Sequence, residues 1–300
     1  MTRLRIGPLE RAERRLGLLL LLPAFALLAG VVLYPIATLL WTSTQQMHLA
    51  QPWLEGFVGL ENYRRALEDD RFWSSMGNTA LYVIITVPGA VVLGLALAML
   101  ANLPFRVKWP VRLGLLLPWA LPLVFAGLIF RWFFEYEQGV VNAMLHAFGA
   151  EPLRWLSTPS LAFIATSLAI IWKSSSFVAL VLLAGLQAIP ASLYEAADVD
   201  GASFWQKFWR ITLPMLIPAL VVAMIFRTIT AIQTFDIPYA MTGGGPGHAT
   251  ETLAMYVHRT TIDVLDFGYG SALAALMFLI SLSVTSVYIG HIRRDEGTGG

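Results

Sequence analysis

The chain has 300 residues and not one cysteine. That excludes disulfide frameworks, thiol nucleophiles and thiolate metal sites together. Charge is also scarce, at 13% of residues, about half of the roughly 25% usual in soluble domains. So little charge leaves too little polar surface to cover a soluble globule. The signs are balanced, 20 basic against 19 acidic for a net +1, so no global attraction to nucleic acid is expected. The phosphate-binding pattern G-x4-G-K-[ST] is missing, and no Gly-Lys dipeptide occurs anywhere, so nucleotide binding by a P-loop in this chain has no support. There is no H-E-x-x-H, and the five histidines are scattered, which gives metal catalysis no support. Gly-x-Ser-x-Gly is absent as well, so serine-hydrolase chemistry has none. What is abundant is apolar: 57% of residues, with a mean hydropathy of +0.67. Disordered chains have the opposite composition. An integral membrane protein remains.

A bilayer core about 30 Å thick needs roughly 20 apolar helical residues. Leu16–Trp41, Thr79–Ala101, Leu113–Phe130 and Phe267–Gly290 carry no charge over 26, 23, 18 and 24 residues. Leu161–Ala188 and Ile211–Phe235 each carry one, Lys173 and Arg227. Six spans are expected, at about 16–41, 79–101, 113–131, 161–188, 213–234 and 267–290, in one transmembrane domain covering 1–300. They must be helical, because lipid offers no partner to exposed backbone groups. The runs are too long and too evenly apolar for the alternating strands of a membrane barrel. Leu16–Trp41 follows Arg11, Arg14 and Arg15 but is far longer than the roughly 7–15-residue apolar core of a signal peptide.

Basic residues set the orientation. With both termini cytoplasmic, 12 basic residues fall inside, among them Arg3, Arg5, Arg106 and Lys108, and 7 fall outside, with Lys173 left within a span. An even number of spans agrees with termini on one side. The external segments are then 42–78, 131–160 and about 234–266. Trp41, Trp109, Trp132, Trp155, Trp205, Trp209 and Tyr288 sit near the expected interfaces, where amphipathic rings favour headgroup depth.

The cytoplasmic stretch 189–214 reads IPASLYEAADVDGASFWQKFWRITLP and is more than a connector. Pro190 can open a helix, and Ser192 with Glu195 has capping-box spacing. Leu193, Ala196, Ala197 and Val199 give one apolar face. Gly201 permits a corner that other residues resist, and a second short amphipathic piece comes next, with Phe204, Phe208 and Ile211 on one side. Pro214 marks entry to the next span. Two short helices at a glycine corner would offer a knob to a cytoplasmic partner; the blander alternative is a surface helix packed on its own protein.

Glu195-Ala196-Ala197, three residues, Gly201, nine residues, Ile211, one residue and Leu213-Pro214 match the pattern E-A-A-x3-G-x9-I-x-L-P without a gap. The chain therefore resembles the permease subunit of a binding-protein-dependent ABC importer. Thr242-Gly243-Gly244-Gly245-Pro246, Leu33-Tyr34-Pro35-Ile36 and Gly59-Leu60-Glu61-Asn62-Tyr63 are similar to segments of its maltose-type, carbohydrate branch. The resemblance covers about residues 16–292. It implies an all-α integral membrane protein of six transmembrane helices with the maltose-type permease fold. It implies that 190–212 is a coupling loop gripped by an ATPase, through Glu195, Ala196, Ala197, Asp198, Gly201, Ile211, Leu213 and Pro214. The implied partners are a second homologous permease, two ATPase subunits holding ATP and magnesium, an extracytoplasmic solute-binding protein, a carbohydrate and membrane lipid. No cofactor would be bound by this chain, and its place would be the cell inner membrane.

Charges inside spans are costly and usually functional. Lys173 lies about 12 residues into its span, roughly 18 Å deep at helical rise. Arg227 shares a helix face with Thr230 and Thr234. A cavity or an interfacial ion pair is expected for Lys173, with Asp236 a candidate partner for either cation; helix–helix glue or snorkelling of Arg227 is the alternative. The resemblance places the family's sugar-facing positions on Trp119 and Leu123, on Lys173, Ser174 and Phe177, and on Arg227, Thr230, Ala231 and Thr234. Aromatic faces suit sugar rings, and hydroxyl and cationic groups suit sugar hydroxyls; two cations would also suit a phosphorylated polyol. Pro118 and Pro122 flank Trp119 and suggest a bent helix beside the pathway. The expected function is ATP-driven import of a di- or oligosaccharide or related polyol by alternating access. The rivals are a permease for glycerol phosphate, amino acids or peptides, and a secondary transporter, which usually needs intramembrane carboxylates that no span here carries.

Overall fold

The computed structural model describes residues 8–103 and 109–297. Arg3, Arg5, Arg106 and Lys108 of the charge count lie outside the described residues. In chain order the helices are α1 (Pro8–Leu28), α2 (Tyr34–Ser43), α3 (Glu61–Glu68), α4 (Asp70–Asn102), α5 (Trp109–Ala120), α6 (Leu123–Phe133), α7 (Val140–Ala147), α8 (Pro159–Gln187), α9 (Ala191–Val199), α10 (Phe204–Lys207), α11 (Leu213–Ile232), α12 (Asp236–Thr242), α13 (Leu253–His258) and α14 (Phe267–Gly297). A π-turn at Ala29–Leu33 joins α1 to α2, and another at Phe208–Thr212 joins α10 to α11. Two short strands, β1 (Gln45–Gln46) and β2 (Gly56–Phe57), pair antiparallel.

Among the described residues five helical stretches are long and apolar enough to cross a membrane: Leu16–Ser43, Asp70–Asn102, Pro159–Gln187, Phe204–Ile232 and Phe267–Val287. The third expected span is broken into α5 and the shorter apolar α6. The break falls at Leu121-Pro122, not at Pro118, which stays inside α5. Pro122 is extended, with φ −58° and ψ 143°. It has no N–H to give the preceding turn, and it disfavours helical backbone at the residue before it.

The chain divides into two compact units. The first comprises residues 1–66 and 260–275. Its long helical stretch, Leu16–Ser43, has none of its apolar window buried. The segment Gly59–Tyr63 anchors the start of α3 to the end of α2. Gly59 has φ +62°, a left-handed conformation that side chains resist. The Asn62 amide donates to the carbonyls of Ser43 and Gln45 at 2.9 and 2.8 Å, and the Tyr63 and Ser43 hydroxyls lie 2.6 Å apart. Arg65 donates to Asp266 at 2.8 Å and lies 4.0 Å over the Tyr269 ring.

The second unit comprises residues 67–259 and 276–300. It is built on the packing of α4 against α8 through small side chains. A Cβ on Gly94 would fall 2.7 Å from Val178, and one on Gly89 would fall 2.6 Å from Ile171. Ala90, Ala98, Val178, Ala179, Leu182, Leu216 and Ala223 are buried in one cluster. In lipid there is no hydrophobic drive between helices, so close backbone approach supplies the attraction. Gly127 meets Ala240 in the same way where α6 crosses α12.

Within this unit the Thr242–Pro246 loop folds over a buried carboxylate. Gly243 caps α12 in the left-handed region at φ 60°. Thr250 bonds the carbonyl of Gly245 at 2.9 Å and the hydroxyl of Thr242 at 2.6 Å. Glu251 is 0% exposed; Arg71 donates to it at 2.8 Å, Arg259 lies 3.1 Å from it and His248 3.2 Å. The Asn78 amide donates to the carbonyls of His248 and Glu251, and the Tyr256 hydroxyl donates to Asp69.

Candidate functional site

One cavity of about 410 Å³ lies in the second unit, within the roughly 300–1,000 Å³ usual for small-molecule sites. Trp119, Leu123, Lys173, Ser174, Phe177, Arg227, Thr230 and Thr234 all border it. Ala231 does not; it is fully buried. The break at Pro122 puts Trp119 and Leu123 on either side of a helix end. Phe177 and Phe226 meet edge-on, with ring centroids 6.1 Å apart, and extend the aromatic wall.

Each charge at this cavity has a physical setting. The Lys173 ammonium is only 7% exposed as a residue and donates to the Trp119 carbonyl at 2.8 Å. That carbonyl belongs to the last turn of α5, where helical carbonyls lack partners and carry partial negative charge. The lysine therefore caps the broken span. Arg227 is 4% exposed; its Nη2 donates to the Thr86 hydroxyl at 2.7 Å and its Nη1 to Thr230 at 3.1 Å. Its Nε is buried without a partner among the described residues. Asp236, in the first turn of α12, lines the same cavity, yet it pairs with neither cation among the described residues. The expected ion pair is thus replaced by a helix-end carbonyl for Lys173 and by hydroxyls for Arg227. Snorkelling of Arg227 to the headgroups is also replaced, because it turns inward to α4.

The elbow at 189–214 is built from local rules. α9 starts after Pro190, with no side-chain cap, so the Ser192–Glu195 box expected from spacing does not form. The capping box belongs to the next helix: Ser203 accepts from the Gln206 backbone N–H, while the Gln206 side chain accepts from that of Ser203. Gly201 has φ +71°. Its N–H bonds the Asp198 carbonyl at 3.1 Å, and the Ala202 N–H bonds that of Ala197 at 2.9 Å, the paired bonds of a Schellman ending. Lys207 donates to Asp198 across the corner at 2.6 Å. Tyr194 reaches Thr212 at 2.9 Å and packs with Ile211 on the core below. Leu193, Glu195, Ala196 and Val199 remain exposed. Apart from the half-buried Ala197, the apolar face expected on α9 is uncovered among the described residues. α10 runs on through the π-turn into α11, so Leu213 and Pro214 lie in the first turn of α11.

Residues 90–294 match the family described as binding-protein-dependent transport system inner membrane component. The chain belongs to this family. It is 58% identical over 288 residues to the sulfoquinovosyl glycerol transport system permease protein SmoG of Agrobacterium fabrum, covering 96% of this chain and 94% of that protein. It is 39% identical over 289 residues to the trehalose/maltose transport system permease protein MalF of Thermococcus litoralis, covering 96% and 97%. Among solved structures it is similar to a chain of a bacterial alginate ABC transporter in complex with alginate pentasaccharide-bound periplasmic protein. That likeness has a TM-score of 0.82 at 22% identity and covers 96% of this chain and 98% of the other, which shows a shared fold. This member of the inner membrane component family is thus a mostly helical, multi-pass permease subunit of ABC-importer fold.

Several residues of this permease escape a reading by sequence. Phe226 and Phe235 line the cavity, but a phenylalanine in a span carries no mark separating a pathway wall from a lipid contact. Thr86 was detectable only as a hydroxyl in an apolar run, with nothing to tie it to Arg227 across 141 residues of chain.

Proposed function

We propose that this permease carries a sugar or sugar-conjugated polyol across the inner membrane, as the passive, gated half of an ATP-driven importer. The cavity bordered by Trp119, Leu123, Lys173, Ser174, Phe177, Arg227, Thr230 and Thr234 is the observation that carries this reading. Ring faces and hydroxyl groups converge there, as a polyol requires. Its relatives, sulfoquinovosyl glycerol and trehalose/maltose transport permeases, support the substrate class.

In this proposal the whole chain acts as one permease domain beside a second, homologous permease, with both termini cytoplasmic. Two ATPase subunits grip the elbows, one on each permease, and hold all the ATP and magnesium; this chain binds neither. An extracytoplasmic solute-binding protein delivers the ligand to the external loops. Closure of the ATPases drives the elbows together and opens the cavity outward; hydrolysis resets it. A short braced helix transmits such a rigid-body motion, which a slack linker would absorb. Ligand and nucleotide then bias one conformational equilibrium from two sites.

The test is ATP hydrolysis by the assembled importer with its binding protein in proteoliposomes. Glycosides are expected to stimulate it several-fold. Stimulation by amino acids and by no glycoside overturns the proposal.

A further inference from the structure

We infer that the sugar carries a single negative charge, and that Arg227 is the residue that selects it. The inference rests on the sugar-import proposal and deepens it.

Among the described residues three ionisable side chains border the cavity: Lys173, Arg227 and Asp236. Two of them are matched by the fold. Lys173 meets the C-terminal end of α5 through the Trp119 carbonyl, and Asp236 sits in the first turn of α12. A cation at a helix C-terminus and an anion at an N-terminus are each stabilised by the backbone. Arg227 has no such match. It is nine-tenths buried, and its partners are the neutral hydroxyls of Thr86 and Thr230. Its buried Nε lacks an acceptor among the described residues. Holding an uncompensated guanidinium out of water is expensive, and a neutral sugar does not require it, since hydroxyls and amides hydrogen-bond a polyol equally well. An oxyanion in the cavity supplies what is missing, the opposite charge, in a charge-assisted bond to a planar donor.

The formal charges agree. Two cations and one carboxylate leave an excess of one positive charge, which a monoanion such as a sulfonate or carboxylate neutralises and a phosphate dianion overshoots. Phe177, Phe226 and Trp119 then remain for the sugar ring. The occupant that fits is a glycoside with one ring-borne, singly charged oxyanion.

The experiment compares sulfoquinovosyl glycerol, its uncharged counterpart glucosyl glycerol and the 6-phosphate of the latter. Uptake is measured in proteoliposomes holding the complete importer, as wild type and as Arg227→Gln, Arg227→Lys and Lys173→Gln variants. Wild type is expected to favour the sulfonate over both others. Arg227→Gln is expected to lower the sulfonate-to-neutral uptake ratio by about tenfold to a hundredfold, the range spanned by a hydrogen bond to a charged group. Arg227→Lys should restore part of that ratio, which a merely structural defect would not allow. Equal wild-type uptake of sulfonate and neutral glycoside overturns the inference and leaves sugar import standing. So does a ratio unchanged by Arg227→Gln, which would put the selectivity in the binding protein. Preference for the phosphate overturns the charge count. If Arg227→Gln fails to assemble, the ratio in Arg227→Lys decides, because only a variant separates the cavity from the binding protein. Uptake of none of the three, with uptake of a non-sugar, overturns the sugar proposal itself.

Discussion

Glu251 and Arg227 are both removed from water, and they are treated in opposite ways. Glu251 is surrounded by Arg71, Arg259 and His248, so its charge is fully used in holding the Thr242–Pro246 loop. Removing one member of such a group leaves the others facing each other without the carboxylate. Glu251→Gln is therefore expected to cost about 3 kcal/mol, at the low end for a buried pair because Arg71 and Arg259 are partly exposed. A lowered thermal unfolding midpoint in detergent checks it; an unchanged midpoint shows the charge to be dispensable. At the cavity the expected effects are on uptake. Trp119→Ala removes a ring face and Thr234→Ala a hydroxyl from the lining. Each should lower uptake about tenfold, roughly the worth of one stacking or hydrogen-bonding contact, while the complex still co-purifies. Normal uptake in both would place the ligand elsewhere.

At the scale of elements, the elbow shows how a short helix is made stiff. α9 has only nine residues, too few to be stable in isolation. It is held by the Schellman ending at Gly201, the Asp198–Lys207 bridge and the Tyr194–Thr212 bond. The bridge is largely exposed and adds less than about 1 kcal/mol; the backbone corner does most of the fixing. Gly201→Val puts a β-branched side chain at φ +71°, at about 1–2 kcal/mol of local strain. The expected outcome is normal membrane insertion with transport lost and ATP hydrolysis no longer responsive to ligand. Undiminished uptake would remove the coupling role. The broken third span works similarly. Pro122 opens a helix end, and Lys173 closes it from α8.

For the whole molecule, the absence of cysteine makes topology directly measurable. Val199 is 89% exposed and Phe148 90% exposed, so single cysteines there should be open to reagents. Val199→Cys is expected to react with a membrane-impermeant maleimide only from the cytoplasmic side, and Phe148→Cys only from the external side. The reverse pattern would turn the molecule over, remove the elbow from any ATPase and end the proposed mechanism. Most of the architecture was legible because lipid imposes a length and an apolarity that can be counted residue by residue. The third span was the exception: its apolar run is continuous, and only the backbone at Pro122 divides it. Capping boxes were legible as spacing but not as choice. Ser192–Glu195 and Ser203–Gln206 have the same interval, and only the second stands where a helix begins.

Six apolar segments, a glycine at a corner and a cluster of polar side chains in two spans arise from the order of residues alone, because each rests on local periodicity and on the cost of placing charge in lipid. Which groups meet was decided by the folded chain. Lys173 found a helix end, not Asp236, and Arg227 found Thr86, because these partners lie far apart in sequence: the packing of α5 on α8 brings the first pair within a hydrogen bond's reach, and the close approach of α4, α8 and α11 through glycine and alanine the second.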